Sequence, residues 1–243
     1  NATRIYYSPT GILNSLSFAA FKLPDESYLI DNYELRQLST TAKLVDRDMV
    51  VHSKEKADAI VIGGLCYEDI QEEYVKEDVE TAKKNSEDVV RQREVMESFQ
   101  FLPYSYIEQE NITLTLKNND VKTTTFTTMA ADETTVRNIL KQSPKLLHIS
   151  THGFSILDHK QAMNIPFFHN QGLPTSLNLA GIALSIANPT WEGNTPPNNK
   201  DNILTAEELS TIDLTKTRLV TLSACNTALG ASSHEGVMGL QRG

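Results

Sequence analysis

The chain has 243 residues, 40% hydrophobic and 22% charged, which is ordinary globular material long enough to bury one large α/β core. Its 22 basic and 31 acidic residues leave a formal charge of −9, and no basic patch interleaved with aromatics argues for nucleic acid as a direct partner. No apolar stretch approaches the roughly 18 residues of a membrane span, and only Cys66 and Cys225 are present, too few for a disulfide framework or a four-thiolate zinc site. The expected setting is a reducing one, the cytoplasm. No signal peptide is visible, and the start at Asn1 reads as that of an excised fragment.

Residues 4–7 are a short β-prone run closed by Ser8-Pro9-Thr10-Gly11, a turn in which proline presets φ and glycine permits positive φ. Residues 16–23 read as a short helix stopped before Pro24, and residues 33–38 alternate as a half-buried strand does. Residues 57–62 are apolar and β-branched and end in Gly63-Gly64, an interior strand followed by a loop that needs free backbone. From 68 to 97 the chain is highly charged; Val89, Val95, Met96 and Phe99 give a weak helical stripe, and the first half reads as solvated and mobile. Residues 104–116 carry helix and strand signals together. Residues 121–128, dominated by threonine, suggest a strand, and Asp132 caps a helix with Val136, Ile139 and Leu140 at i, i+3 and i+4, ending near Ser143-Pro144.

The next run, from Lys145 to Phe154, is apolar and β-prone up to Ser150-Thr151-His152-Gly153. Residues 156–175 are turn-rich, 179–187 look like another strand, and 188–202 are packed with Pro, Asn and Gly, a loop long enough to be functional or disordered. Thr205-Ala206-Glu207-Glu208 matches a capping box, so a helix over 206–211 precedes a second apolar run, from Arg218, that ends at Ser223-Ala224-Cys225-Asn226-Thr227. Strands alternating with helices point to a three-layer α/β domain, one unit over 1–243, with a mostly parallel sheet.

The two motif strands carry the chemistry. Buried parallel strands read as continuous apolar runs, and ligands of open α/β sheets bind beyond the carboxyl ends of strands. An imidazole, His152, and a thiol, Cys225, stand just past two such ends. A thiol of reference pKa about 8.5 is only a few per cent ionised at neutral pH, and a neighbouring imidazole can take its proton. Gly153 allows close approach of a substrate carbonyl, so its N–H and that of Cys225 are the candidate oxyanion donors. Ser223, Ala224 and Asn226 are small enough to leave room for a peptide. His148 lies inside its strand beside apolar neighbours and reads as a core histidine or one supporting the site.

The string His148-Ile-Ser-Thr-His152-Gly, followed by Leu222-Ser-Ala-Cys225-Asn-Thr227-Ala-Leu-Gly230, resembles the CHAT family, caspase-like domains often found beside tetratricopeptide repeats. The likeness extends to residues 5–14, 33–36 and 235–240 and is weakest between 68 and 119. It implies a caspase-like three-layer fold, a His152/Cys225 dyad without a required third residue, and a cysteine endopeptidase acting on proteins or peptides without a cofactor or metal. It also implies a sensor, fused or recruited, of the tetratricopeptide-repeat kind. Family members continue through a helix and further strands, so the chain reads as truncated after Gly243. Relatives that cut after basic residues use an acidic pocket, and Asp213 and Glu235 are the candidates for it. The loop around Trp191 either closes over a peptide or is anchored by that ring. Two other readings stand beside this one: a non-catalytic caspase-like interaction module, and a metal-dependent hydrolase built on His148, His152 and His169, whose i, i+4 pair would align only on a helix.

Overall fold

The computed structural model describes residues 3–9, 13, 16–38, 58–69, 72–84, 98–156, 159–169, 174–194, 200–224, 231–233 and 236–238. In chain order the elements are β1 (Arg4–Tyr7), a 3-10 turn (Phe18–Ala20), α1 (Leu29–Asn32), β2 (Glu34–Gln37), β3 (Asp58–Leu65), α2 (Glu72–Lys84), α3 (Pro103–Asn118), β4 (Lys122–Thr128), α4 (Glu133–Leu140) and β5 (Leu146–Ser150). Then come β6 (Gly153–Ser155), α5 (His159–Ala162), α6 (Pro166–His169), β7 (Ala180–Ala183), α7 (Asn188–Trp191), β8 (Ile203–Thr205), α8 (Ala206–Ser210), β9 (Leu219–Ser223), β10 (Ala231–Ser233) and β11 (Gly236–Met238).

The central sheet has the order β4-β3-β5-β9, and every pairing in it is parallel. Since successive strand residues face opposite sides, its two faces can be read from the register. Ile60, Ile62, Leu147, Ile149 and Leu222 share one side and pack into a common core with Val136 and Leu140 of α4. Val61, His148, Ser150, Thr221 and Ser223 share the other, on which α3 lies against β3, β4 and β5. This is the caspase-like three-layer α/β arrangement, helix on sheet on helix. A second, antiparallel sheet of order β6-β7-β8 extends from the end of β5, while β1 with β2 and β10 with β11 form separate pairs. No helix among the described residues is long and apolar enough to cross a membrane.

Local signals produced the ends of several elements. The Asp132 carboxylate accepts the Thr135 N–H at 2.7 Å, and Thr205 and Glu208 bond reciprocally as a capping box at the start of α8. Four expectations need correction. Gly63-Gly64 is not a loop after the strand but part of β3, whose register to β4 shifts between Ile62 and Leu65. A Cβ on Gly63 would stand 2.8 Å from the Ser105 carbonyl oxygen, and on Gly64, at φ +64°, 2.5 Å from the Tyr106 ring, so the glycines let α3 lie against the strand. The charged segment is helical over Glu72–Lys84, because Val75 and Val79, at i and i+4, are buried against Cys66 and the Tyr106 and Ile107 of α3. Val89, Val95 and Met96 lie outside the described residues.

Residues 104–116 resolve to helix although the face that α3 buries is polar, with Ser105, Gln109 and Thr113 one turn apart. The 16–23 helix is reduced to the Phe18–Ala20 turn, and the 179–187 strand to Ala180–Ala183, after which the chain turns into α7.

Candidate active site

His152 stands two residues beyond the end of β5, in the short step that leads into β6. Its backbone is held from two sides. Its N–H donates to Tyr67 Oη at 3.2 Å, and its carbonyl accepts the Ala183 N–H at 2.9 Å. Thr151 Oγ1 donates to the Ala183 carbonyl at 2.7 Å, so the Tyr67 hydroxyl donates its own proton to Thr151 Oγ1, also at 2.7 Å. Tyr67, at the end of β3, is thus bonded to both residues of the turn. Complete burial pushes its phenol up to about 12, and it stays a neutral donor.

The imidazole packs against the rings of Tyr67 and Phe99, at centroid distances of 5.0 and 5.5 Å. Its Nε2 lies 2.7 Å from the Gln100 carbonyl oxygen. A carbonyl can only accept, so Nε2 carries the proton and the neutral ring keeps its lone pair on Nδ1. Burial lowers the His152 pKa from the usual histidine value, and the bond to Gln100 offsets part of that. At neutral pH the ring is therefore an unprotonated base.

Gly153 begins β6, the outer strand of the antiparallel sheet. The ladder bonds on either side of it, Ala183 N–H to the His152 carbonyl and Ile156 N–H to the Leu179 carbonyl, fall on even-numbered residues of this strand. Antiparallel bonding alternates, so the Gly153 N–H points away from β7 toward the open side of the sheet.

The cysteine strand lies directly beside the histidine strand. β9 pairs with β5 in the register Leu146↔Leu219 to Ser150↔Ser223, and the Thr151 N–H adds a bond to the Ser223 carbonyl at 3.2 Å. In sequence, His152 follows Ser150 by the same two residues by which Cys225 follows Ser223. Cys225 and Glu235 lie outside the described residues. Asp213 does not come to this end of the sheet. It is exposed in the turn before β9, where its carboxylate accepts the Thr215 N–H at 2.9 Å, while the neighbouring Lys216 N–H donates to Ser143 Oγ, ahead of β5. The turn therefore sits by the amino ends of the two strands.

His148 is buried at 8% exposure on the α3 side, with Nε2 3.3 Å from Glu108 Oε1, close enough to pair if protonated but without a hydrogen bond. Burial lowers its pKa too, with Glu108 working against that. The three histidines of the metal reading do not converge: His152 faces Gln100, and exposed His169 faces the Met163 carbonyl at 2.9 Å. Among the described residues no group of three or more His, Cys, Asp or Glu side chains is arranged to hold a metal ion. Trp191 is 3% exposed and packs against Phe99, Phe154, Phe167 and Phe168, so of its two readings the packing anchor holds. Through Phe99 it backs the histidine ring.

Sequence reasoning missed Tyr67, Gln100 and Glu108. Tyr67 had a usable signal, since it follows an apolar run and a glycine pair as the motif residues follow theirs. Gln100 acts through its backbone, which no side-chain pattern encodes. Glu108 was one acid in a segment of mixed signals.

No curated protein and no solved structure matches the chain. The family model of the CHAT domain matches residues 1–243. With a caspase-like sheet and a histidine turn in the position that its motif implied, the chain belongs to the CHAT domain family, a caspase-like group related to cysteine peptidases.

Proposed function

We propose that the chain is a cysteine endopeptidase that hydrolyses peptide bonds in proteins through His152 and Cys225. The observation that carries this reading is the histidine turn: an imidazole whose Nε2 is pinned to the Gln100 carbonyl, leaving Nδ1 as a base at the end of the strand that β9 pairs with. In the proposed reaction the Cys225 thiol gives its proton to His152 Nδ1 and the sulfur attacks the scissile carbonyl carbon. The N–H groups of Gly153 and Cys225 receive the oxyanion. Collapse breaks the C–N bond, and the leaving amine takes the proton from His152. Water, deprotonated by the same ring, then releases the acid from the thioester. Glu235 stays a candidate for substrate selection, whereas the turn that holds Asp213 favours no such role. Control by an adjoining tetratricopeptide-repeat sensor is part of the proposal.

The test is cleavage of a peptide library by the purified chain, together with a sensor region where one adjoins it. Wild type is expected to cut, and Cys225→Ala and His152→Ala to lose at least about a thousandfold in kcat/KM, as removal of one member of a concerted catalytic set does. Cleavage that survives Cys225→Ala rejects the reading, and a folded protein whose Cys225 resists an electrophilic peptide favours the interaction module instead.

A further inference from the structure

The side of the sheet covered by α3 holds a polar group that the reaction above does not use. Glu108, in the middle of that helix, extends its carboxylate onto the sheet at the carboxyl ends of β5 and β9. Its Oε2 accepts the Ser150 hydroxyl at 2.8 Å and the Ser223 hydroxyl at 3.0 Å. These two serines are register partners on the paired strands, and each stands two residues before a member of the dyad. One helix turn earlier, Ser105 Oγ donates to the Ser150 carbonyl at 2.7 Å and accepts the Gly64 N–H at 2.9 Å. The helix therefore grips β3, β5 and β9 at one level, where the last described backbone bond between β5 and β9 is Thr151 N–H to Ser223.

We propose that Glu108 is a positioning residue that brackets the ends of β5 and β9 through Ser150 and Ser223 and so sets where His152 stands relative to Cys225, a role that rests on the dyad reading. In sequence, both reactive residues come two positions after the bracketed serines. Bonds from hydroxyls to a carboxylate are stronger than those between neutral groups, and both converge on a single oxygen. Packing alone would be met by apolar residues at these positions; a charged acceptor with two donors constrains distance and direction as well. Proton transfer and attack need the reacting atoms placed to within about 1 Å, the scale on which such a bracket acts.

The measurement is the rate of Cys225 alkylation by iodoacetamide against pH, read by mass spectrometry of the peptide that contains it. In wild type His152 sustains the rate below the ordinary thiol range, and His152→Ala shifts the profile toward an unassisted thiol. The double variant Ser150→Ala/Ser223→Ala is expected to shift it the same way, with about a tenfold lower rate at pH 7. Glu108→Ala should do likewise, and Glu108→Gln, which keeps one acceptor oxygen, should restore most of the loss. If Glu108→Ala does not fold, the double serine variant decides. Wild-type profiles in folded bracket variants, alongside a shifted His152→Ala profile, overturn the bracket and leave the dyad standing. A wild-type profile in His152→Ala overturns the dyad, and the bracket's positioning role with it.

Discussion

The two faces of the central sheet are built to different rules. Toward α4, Ile60, Ile62, Leu147, Ile149 and Leu222 meet Val136 and Leu140, and contact is a matter of apolar area removed from water. Toward α3, the same strands present Ser150 and Ser223 to Ser105 and Glu108, and contact is directional. The polar side concentrates toward the carboxyl ends of the strands, where His152 follows. An apolar face tolerates small rotations of its side chains, whereas a hydrogen-bonded one holds geometry. The first face holds the domain together and the second aims its strand ends.

That contrast can be broken by substitution. The largest loss of stability is expected at Ile149→Ala, about 2–5 kcal/mol from lost burial and the cavity left behind, read as a lower denaturation midpoint. A loss below about 1 kcal/mol would mean that the apolar face is not the main source of stability. Gly64→Ala should cost about 1–3 kcal/mol, because the residue sits at φ +64° and its Cβ would press on Tyr106; a neutral result would show that α3 does not lie so close to β3.

Asp201 sits at the rim of the α4 layer, near Glu133, Glu208 and Arg137, where burial raises its pKa to about 6. The folded state binds this proton more tightly than the unfolded chain, whose value is 3.8. Stability is therefore lost as pH rises from about 4 to about 6 and the loss persists above. Asp201→Asn should stabilise the protein at pH 7 by about 1–2 kcal/mol and remove that pH dependence, and a thermal melt series at pH 4 to 7 checks both. Tyr67→Phe should cost about 1 kcal/mol, since Thr151 keeps its bond to Ala183 while the His152 N–H loses its acceptor. A loss of peptidase rate larger than the loss of stability would place Tyr67 with the aiming face.

The His152 shift has a sign of its own. Because burial lowers its pKa below that of free histidine, the neutral base persists as pH falls to about 6.5. The acid limb of kcat/KM should therefore lie below that value, and Phe99→Ala, which opens the ring to water, should move it up. Fold stability follows the same direction: the unfolded chain takes up this proton first, so stability is lost as pH falls below about 6.5.

Much of this was legible along the chain. The strand ending before His152, the strand running to Ser223, the Asp132 cap and the Thr205 capping box are all written in adjacent residues, because apolar runs, turn residues and caps are local chemistry. The α3 helix was not, since its buried side carries Ser105, Gln109 and Thr113, and an apolar period is what reveals a helix. Gly63-Gly64 misled for a related reason: a glycine pair marks a loop as readily as a strand pressed by a helix, and only the helix distinguishes them.

By itself, then, the sequence determined which side chains are the candidates for chemistry, His152 and Cys225, and that each follows an apolar run. Tertiary structure alone decided that the two strands are neighbours, that a backbone carbonyl from Gln100 selects the tautomer of the ring, and that one carboxylate from α3 joins Ser150 to Ser223. The reason is physical. Periodicity and capping act within a few residues, while a carbonyl that orients an imidazole, or a carboxylate that joins two strands, acquires its partner only when distant segments pack.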